Sequence, residues 1–111
     1  MLNLKLKLWL EKDNQAVFGA GRCELLKLTD ELGSLHKASE KLGISYKSAW
    51  AKIRDSEKRL GFDLLKRKIG GKSGGGSVLT EKAKKLVESY EKLMQSILEY
   101  AHAEFKKFLT K

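Results

Sequence analysis

The stretch from Gly33 to Gly61, GSLHKASEKLGISYKSAWAKIRDSEKRLG, limits what this chain can fold into more than any other, because it is punctuated as two short helices joined by a tight turn. Ser34 is a good N-cap for a helix running to about Leu42, its hydroxyl accepting from an otherwise unpaired amide of the first turn. Gly43 supplies the left-handed residue that ends that helix. Ser45 offers a second N-cap, and Tyr46, Ala49, Trp50, Ile53 and Leu60 recur at helical spacing on one side of a second helix. Lys47, Ser48, Ala51, Lys52, Arg54 and Asp55 are left facing outward, and Trp50 is assigned to the core beside Ala49 and Ile53. So short a turn makes the helices cross steeply, with Ala38, Ser39, Leu42, Ile44 and Ala49 near the crossing, where small side chains let backbones approach.

The flanking segments complete a mainly α architecture with a little β structure. Leu2, Leu4, Leu6, Leu8 and Leu10 alternate with Asn3, Lys5, Lys7 and Trp9, which predicts a half-buried strand. After the polar connection Glu11 to Gln15, Ala16 to Phe18 returns as a partner, giving an N-terminal hairpin over residues 1–19. Arg22 to Leu32 reads as a helix burying Leu25, Leu26, Leu28 and Leu32, so that residues 22–61 form a three-helix core. Phe62 to Ile69 and Val78-Leu79 are brief strands flanking the glycine loop GGKSGGGS, a wing over residues 62–79 with Lys66, Arg67, Lys68 and Lys72 placed to meet phosphates. A flexible linker is the bland alternative, although a linker has no need of three cations just upstream and one inside. Gly71-Lys72-Ser73 matches the end of a nucleotide-binding P-loop, but Lys66 stands where the leading glycine belongs, more glycine follows instead of a helix, and no α/β units surround it.

From Thr80 the chain reads as one long helix over residues 80–110. Leu79, Ala83, Leu86, Tyr90, Leu93 and Ile97 are spaced four, three, four, three, four, and Ala101, Phe105 and Phe108 prolong the stripe. A helix of this length outruns a small domain, so Leu86, Tyr90, Leu93, Ile97, Ala101, Phe105 and Phe108 are assigned to a homodimer interface, the alternative being a helix folded back on its own domain.

Composition narrows the partners. The 111 residues suit one domain (1–111) with a modest core, and the formal charge of +9 points to a negatively charged partner, nucleic acid or an anionic membrane surface. No run approaches the roughly 20 apolar residues of a spanning helix, and the lysine-alternating start is no signal peptide, so a soluble cytoplasmic protein is expected. Cys23 is a lone cysteine, assigned to packing or surface, and with only His36 and His102 there is no zinc set; neither metal, cofactor, catalytic triad nor membrane partner is expected. An exposed helix with short polar and cationic side chains fits the major groove of duplex DNA, while an ordinary helical hairpin with a solvated basic face fits the same segment.

The order of hairpin, helix, GS-led helix-turn-helix, GISYKSAW, strand pair around GGKSGGGS, LTEKAKKL and long helix closely resembles the N-terminal DNA-binding domain of molybdate-responsive ModE-type transcriptional regulators. Gly43 to Trp50 and Gly70 to Thr80 carry most of the likeness; more distantly, GSLHKASEKLGISYKSAWAKIRDSEKRLGFDLLKR and VLTEKAKKL are similar to the winged helix-turn-helix of LysR-type regulators. The resemblance implies a winged helix-turn-helix, dimeric through its last helix, that binds specific double-stranded DNA and regulates transcription. It implies no molybdate site in this chain, which is expected to lack an effector domain, since the oxyanion sites of such regulators lie in a separate C-terminal domain. His36 and Ser39 stand where the family has small residues, and His36 is expected to face solvent or a phosphate. Lys47, Ser48, Ala51 and Lys52 are assigned to base reading, Ser34, Ser45 and Tyr46 to phosphates at helix N-termini, and Arg67, Lys68, Lys72 and Ser73 to backbone contact by the wing. A dimeric basic adaptor for an acidic protein and a non-specific architectural DNA-binding protein remain alternatives.

Overall fold

The structure is a computed structural model and describes residues 1–68 and 76–109. Strands β1 (Trp9–Lys12) and β2 (Gln15–Gly19) form an antiparallel hairpin, followed by helices α1 (Ala20–Leu32), α2 (Leu35–Leu42) and α3 (Tyr46–Leu60). A second antiparallel pair, β3 (Leu65–Lys68) and β4 (Gly76–Leu79), precedes the long helix α4 (Glu81–Leu109).

The punctuation acts as its chemistry requires. The Ser34 hydroxyl accepts from the Lys37 amide at 3.1 Å, and that of Ser45 accepts from the Ser48 amide at 3.0 Å. Gly33, Gly43 and Gly61 close α1, α2 and α3 in the left-handed region. Thr80 caps α4, its hydroxyl accepting from the Ala83 amide at 3.1 Å while donating to the Asp63 carbonyl at 2.7 Å. Ala38, Ser39 and Ala49 are buried at the crossing of α2 and α3, and Leu42 and Ile44 pack at its margin.

The first strand is shorter than the alternation predicts. Trp9 pairs with Gly19, the last residue of β2, and the chain turns into α1 at Ala20, so nothing in β2 remains to pair with Leu2 to Leu8. Leucine and lysine still alternate there between half-buried and exposed, with Leu2 exposed. Asp13 and Asn14 both take positive φ in the two-residue turn, the conformation that matches strand twist in a tight hairpin. α1 starts two residues before the expected Arg22, and β3 begins only at Leu65, because Phe62 to Leu64 make the bend out of α3. Ile69 and the loop residues Gly70 to Gly75 lie outside the described residues.

The core joins Phe18 of the hairpin, Leu25 and Leu26 of α1, Ile53 of α3, Leu64, and Ala83, Val87 and Tyr90 of α4. Its buried polar groups are satisfied: the Ser56 hydroxyl donates to the Val17 carbonyl at 2.6 Å and that of Thr29 to the Leu25 carbonyl at 2.7 Å. Cys23, buried on α1, has its thiol pKa pushed up to about 11, first by burial and then by the charge of Glu91.

Tyr90 stands apart from the other residues assigned to a dimer interface. It is 5% exposed, its ring meets Phe18 edge-to-face at 5.3 Å, and its hydroxyl donates to the Leu8 carbonyl at 2.7 Å. It belongs to the chain's own core, because the hydroxyl that makes tyrosine suitable for an interface is consumed by the N-terminal segment. Leu86 is half-buried against the same core. Beyond them Leu93, Ile97 and Phe108 are exposed, and Ala101 and Phe105 half-buried.

Candidate nucleic-acid interface

Helix α3 divides cleanly by phase. Ala49, Ile53 and Ser56, spaced four and three, are buried, and Lys47, Ala51, Arg54 and Lys58, spaced four, three and four, face solvent on the other side. Asp55 is the one acid on that outward surface, beside three cations. Lys52 is exposed on its flank, where its backbone carbonyl accepts from Arg22 Nε at 3.2 Å, bringing a guanidinium from α1 alongside. Ser48 is half-buried, its amide held by Ser45.

The wing is fastened to this helix by one carboxylate. Glu57 Oε2 accepts from the amides of Leu64 at 2.8 Å and Leu65 at 3.3 Å, fixing the direction in which β3 leaves α3. Leu65 is buried, whereas Lys66, Arg67 and Lys68 are all exposed, facing Val78, Ser77 and Gly76 of β4 in register. β4 lies close on the end of α1. The Ser77 amide donates to the Gly33 carbonyl at 3.0 Å, and a Cβ on Gly76 would stand 2.2 Å from that same oxygen, so this position requires glycine. Lys72 and Ser73, assigned to backbone contact, lie outside the described residues.

Between the wing and the start of α3 runs an open groove of about 540 Å³. Its walls include Ser34 and His36 from α2 and its cap, Tyr46 and Trp50 from α3, and Lys66 and Arg67 from β3. The His36 ring lies 5.4 Å from that of Tyr46, and its Nδ1 is 3.4 Å from the Glu40 carboxylate. Trp50 departs from its assignment to the core: it is 37% exposed, with the Arg54 guanidinium over its ring at 5.6 Å. The phase of α3 explains this. The buried arc is centred on Ala49, Ile53 and Ser56, and a helix turns about 100° per residue, so Trp50 falls at the edge of that arc while a small serine fills its centre.

Of the described residues assigned to DNA, Ser34, Tyr46 and Arg67 line this groove together with Trp50; Lys47 and Ala51 share the outward arc of α3 with Arg54 and Lys58; and Lys52 lies on the other flank beside Arg22. Trp50, Arg54, Lys58 and Arg22 are not among the residues the sequence assigns to DNA. For Arg54 and Lys58 the spacing from Lys47 and Ala51 was available as a signal, while Arg22 becomes visible only through tertiary contact.

The chain is 34% identical over 101 residues to the transcriptional regulator ModE of Haemophilus influenzae, covering 91% of this chain and 39% of that protein. It is 38% identical over 95 residues to the DNA-binding transcriptional dual regulator ModE of Escherichia coli K12, covering 86% of this chain and 34% of the relative. The chain thus spans between a third and two fifths of the length of these relatives. Among solved structures, the CbnR_DBD–DNA complex superposes with a TM-score of 0.58 at 18% identity, over 76% of this chain and 91% of that one. ArgP from Mycobacterium tuberculosis gives 0.56 at 22% identity, over 78% and 30%. These likenesses establish the winged-helix fold. The family model described as "Bacterial regulatory helix-turn-helix protein, lysR family" matches residues 22–84, and the chain belongs to that family.

Proposed function

We propose that this chain is the DNA-binding unit of a transcription regulator, working by binding duplex DNA in the cytoplasm and not by catalysis. The observation that carries the reading is the division of α3: its inward arc is committed to the core, its outward arc carries Lys47, Arg54 and Lys58 into solvent, and Tyr46 and Trp50 at its edge face the wing cations Lys66 and Arg67 across a groove. A helix of this shape and charge is complementary to the major groove and its flanking phosphates. Lys47, Ser48, Ala51 and Lys52 read base edges, and Ser34, Ser45, Tyr46 and the wing, with Lys72 and Ser73, engage the backbone. The relatives named as transcriptional regulators support the same reading.

A second copy completes the unit. α4 is 29 residues long, about 43 Å at the α-helical rise, and beyond Tyr90 it exposes Leu93, Ile97, Tyr100, Phe108 and Leu109. Pairing two such helices through Leu93, Ile97 and Phe108, with Leu86, Ala101 and Phe105 at the margins, sets two copies of α3 against half-sites one or more DNA turns apart.

The test is a gel shift with mixed genomic fragments across a salt titration, followed by sequencing of the bound fraction. Saturable binding that enriches a pseudo-palindromic set and weakens steeply with salt is the expected result. Salt-sensitive binding without enrichment would mark an architectural protein, and no binding to any duplex would point to a protein adaptor; either overturns the reading.

A further inference from the structure

Trp50 is the one large aromatic residue on α3 whose position neither the core nor the base-reading assignment explains. Its ring is open to solvent, Tyr46 one turn before it is 46% exposed, and Arg54 one turn after it stacks its guanidinium over the indole. Among the described residues the indole N–H has no acceptor, in contrast to that of Trp9, which donates to Glu11 Oε2 at 2.8 Å. Across the groove stand Lys66 and Arg67, and no described residue lining it carries a carboxylate. The groove is therefore an apolar floor with an unused donor, rimmed by cations and opening on the surface that carries Lys47. That is the chemistry of a deoxyribose-phosphate strand, apolar on the face of its sugars and anionic at its edge.

Resting on the duplex-binding reading above, we propose that one strand's sugar–phosphate backbone occupies the groove between α3 and β3, with Trp50 packed against a deoxyribose and its N–H donating to a phosphate oxygen. Arg54, held in place by the indole, neutralises the neighbouring phosphate. Trp50 is then a backbone-anchoring residue: it sets affinity and the seating of α3, and it contributes to every duplex rather than to one base pair.

The two tryptophans of the chain make this directly observable. In a Trp9→Phe variant, Trp50 is the sole indole, and the probe is a duplex of about three helical turns drawn from the bound genomic fraction. Adding that duplex is expected to shift and quench the emission and to protect it from iodide. Trp50→Ala is expected to weaken binding by at least about tenfold with the salt slope reduced, and Trp50→Phe, which keeps a ring but not the N–H, to recover part of the loss. Duplex binding that leaves the emission and iodide quenching of Trp50 unchanged overturns the proposal while leaving DNA binding intact. So does iodide protection that rises with protein concentration without DNA, which would mark a contact between copies. Should Trp50→Ala fail to fold, the Trp9→Phe titration still decides. Absence of duplex binding by the unmodified chain overturns the underlying reading and this proposal together.

Discussion

The carboxylate of Glu57 accepts the amide of Leu64 at 2.8 Å, so the same helix that presents Lys47 and Arg54 to solvent also aims the wing. Helix α3 and the wing are coupled through one side chain near the C-terminal end of α3, while Arg59 and Ser56 hold that end to the carbonyls of Ala16 and Val17 in the hairpin. Shape on the proposed DNA side is thus set in part by hydrogen bonds at the C-terminal end of α3.

Replacing Glu57 by alanine leaves the Leu64 and Leu65 amides without their acceptor. Loss of about 1–3 kcal/mol of stability is expected, measured by urea unfolding, together with weaker duplex binding. Glu57→Gln, which keeps an acceptor oxygen, should lose less of both.

Gly76→Ala places a methyl against the Gly33 carbonyl, a backbone atom that cannot swing aside. Either β4 lifts from α1, breaking the Ser77 bond to that carbonyl, or the α1 terminus yields. A loss of about 1–3 kcal/mol is expected in thermal unfolding, whereas Gly21→Ala, where a Cβ meets open space, should be far milder.

The α4 pairing is tested by charge. Ile97→Glu and Leu93→Glu put carboxylates on exposed positions of the apolar stripe, where they cost a lone chain little but oppose a second copy. Sedimentation velocity should show a dimer converted to monomer, with binding to a duplex of two half-sites weakened more than binding to a single half-site.

Alkaline pH should unfold the protein in a defined window. The thiol of Cys23 ionises near 11 in the folded state against an ordinary 9, held up by burial, and burial also raises the Tyr90 phenol. Between those values the unfolded chain has released the Cys23 proton and the folded chain has kept it, so stability falls as pH rises from about 9 to 11. Lys27, raised by its 2.6 Å pair with Glu91, loses its contribution in the same direction. Denaturant midpoints across this range should fall, and Cys23→Ala should flatten part of the slope. A thiol reagent at pH 8 should label Cys23 only as fast as the fold opens.

The sequence made the helix boundaries legible where local chemistry decides them. Ser34, Gly43, Ser45, Gly61 and Thr80 each act within a few residues of themselves, so their hydroxyls and positive φ values could be anticipated. Trp50 and Tyr90 depart from their assignments in opposite directions. Hydrophobicity sends Trp50 inward, but the phase of α3 leaves it at the edge of the buried arc, which the small Ser56 completes; length of stripe sends Tyr90 outward, but Leu8 and Phe18, far along the chain, hold it in the core. The strand expected from Leu2 had the right alternation but no ladder to join, because the length of β2 is fixed by the start of α1, which the leucine pattern does not encode.

The central claim is that the outward arc of α3 is the surface that meets DNA, and the decisive measurement compares two double substitutions that remove equal charge. Lys47→Ala with Arg54→Ala strips that arc; Lys27→Ala with Lys92→Ala strips cations that pair with Glu91 and Glu88 on the α4 side. In anisotropy titrations of a labelled duplex over a series of salt concentrations, the first pair is expected to lose at least about tenfold in affinity and to flatten the salt dependence by about one phosphate contact, that of Arg54, the second pair to bind nearly as the parent. Equal losses from the two pairs, or no loss from the first, would contradict the claim.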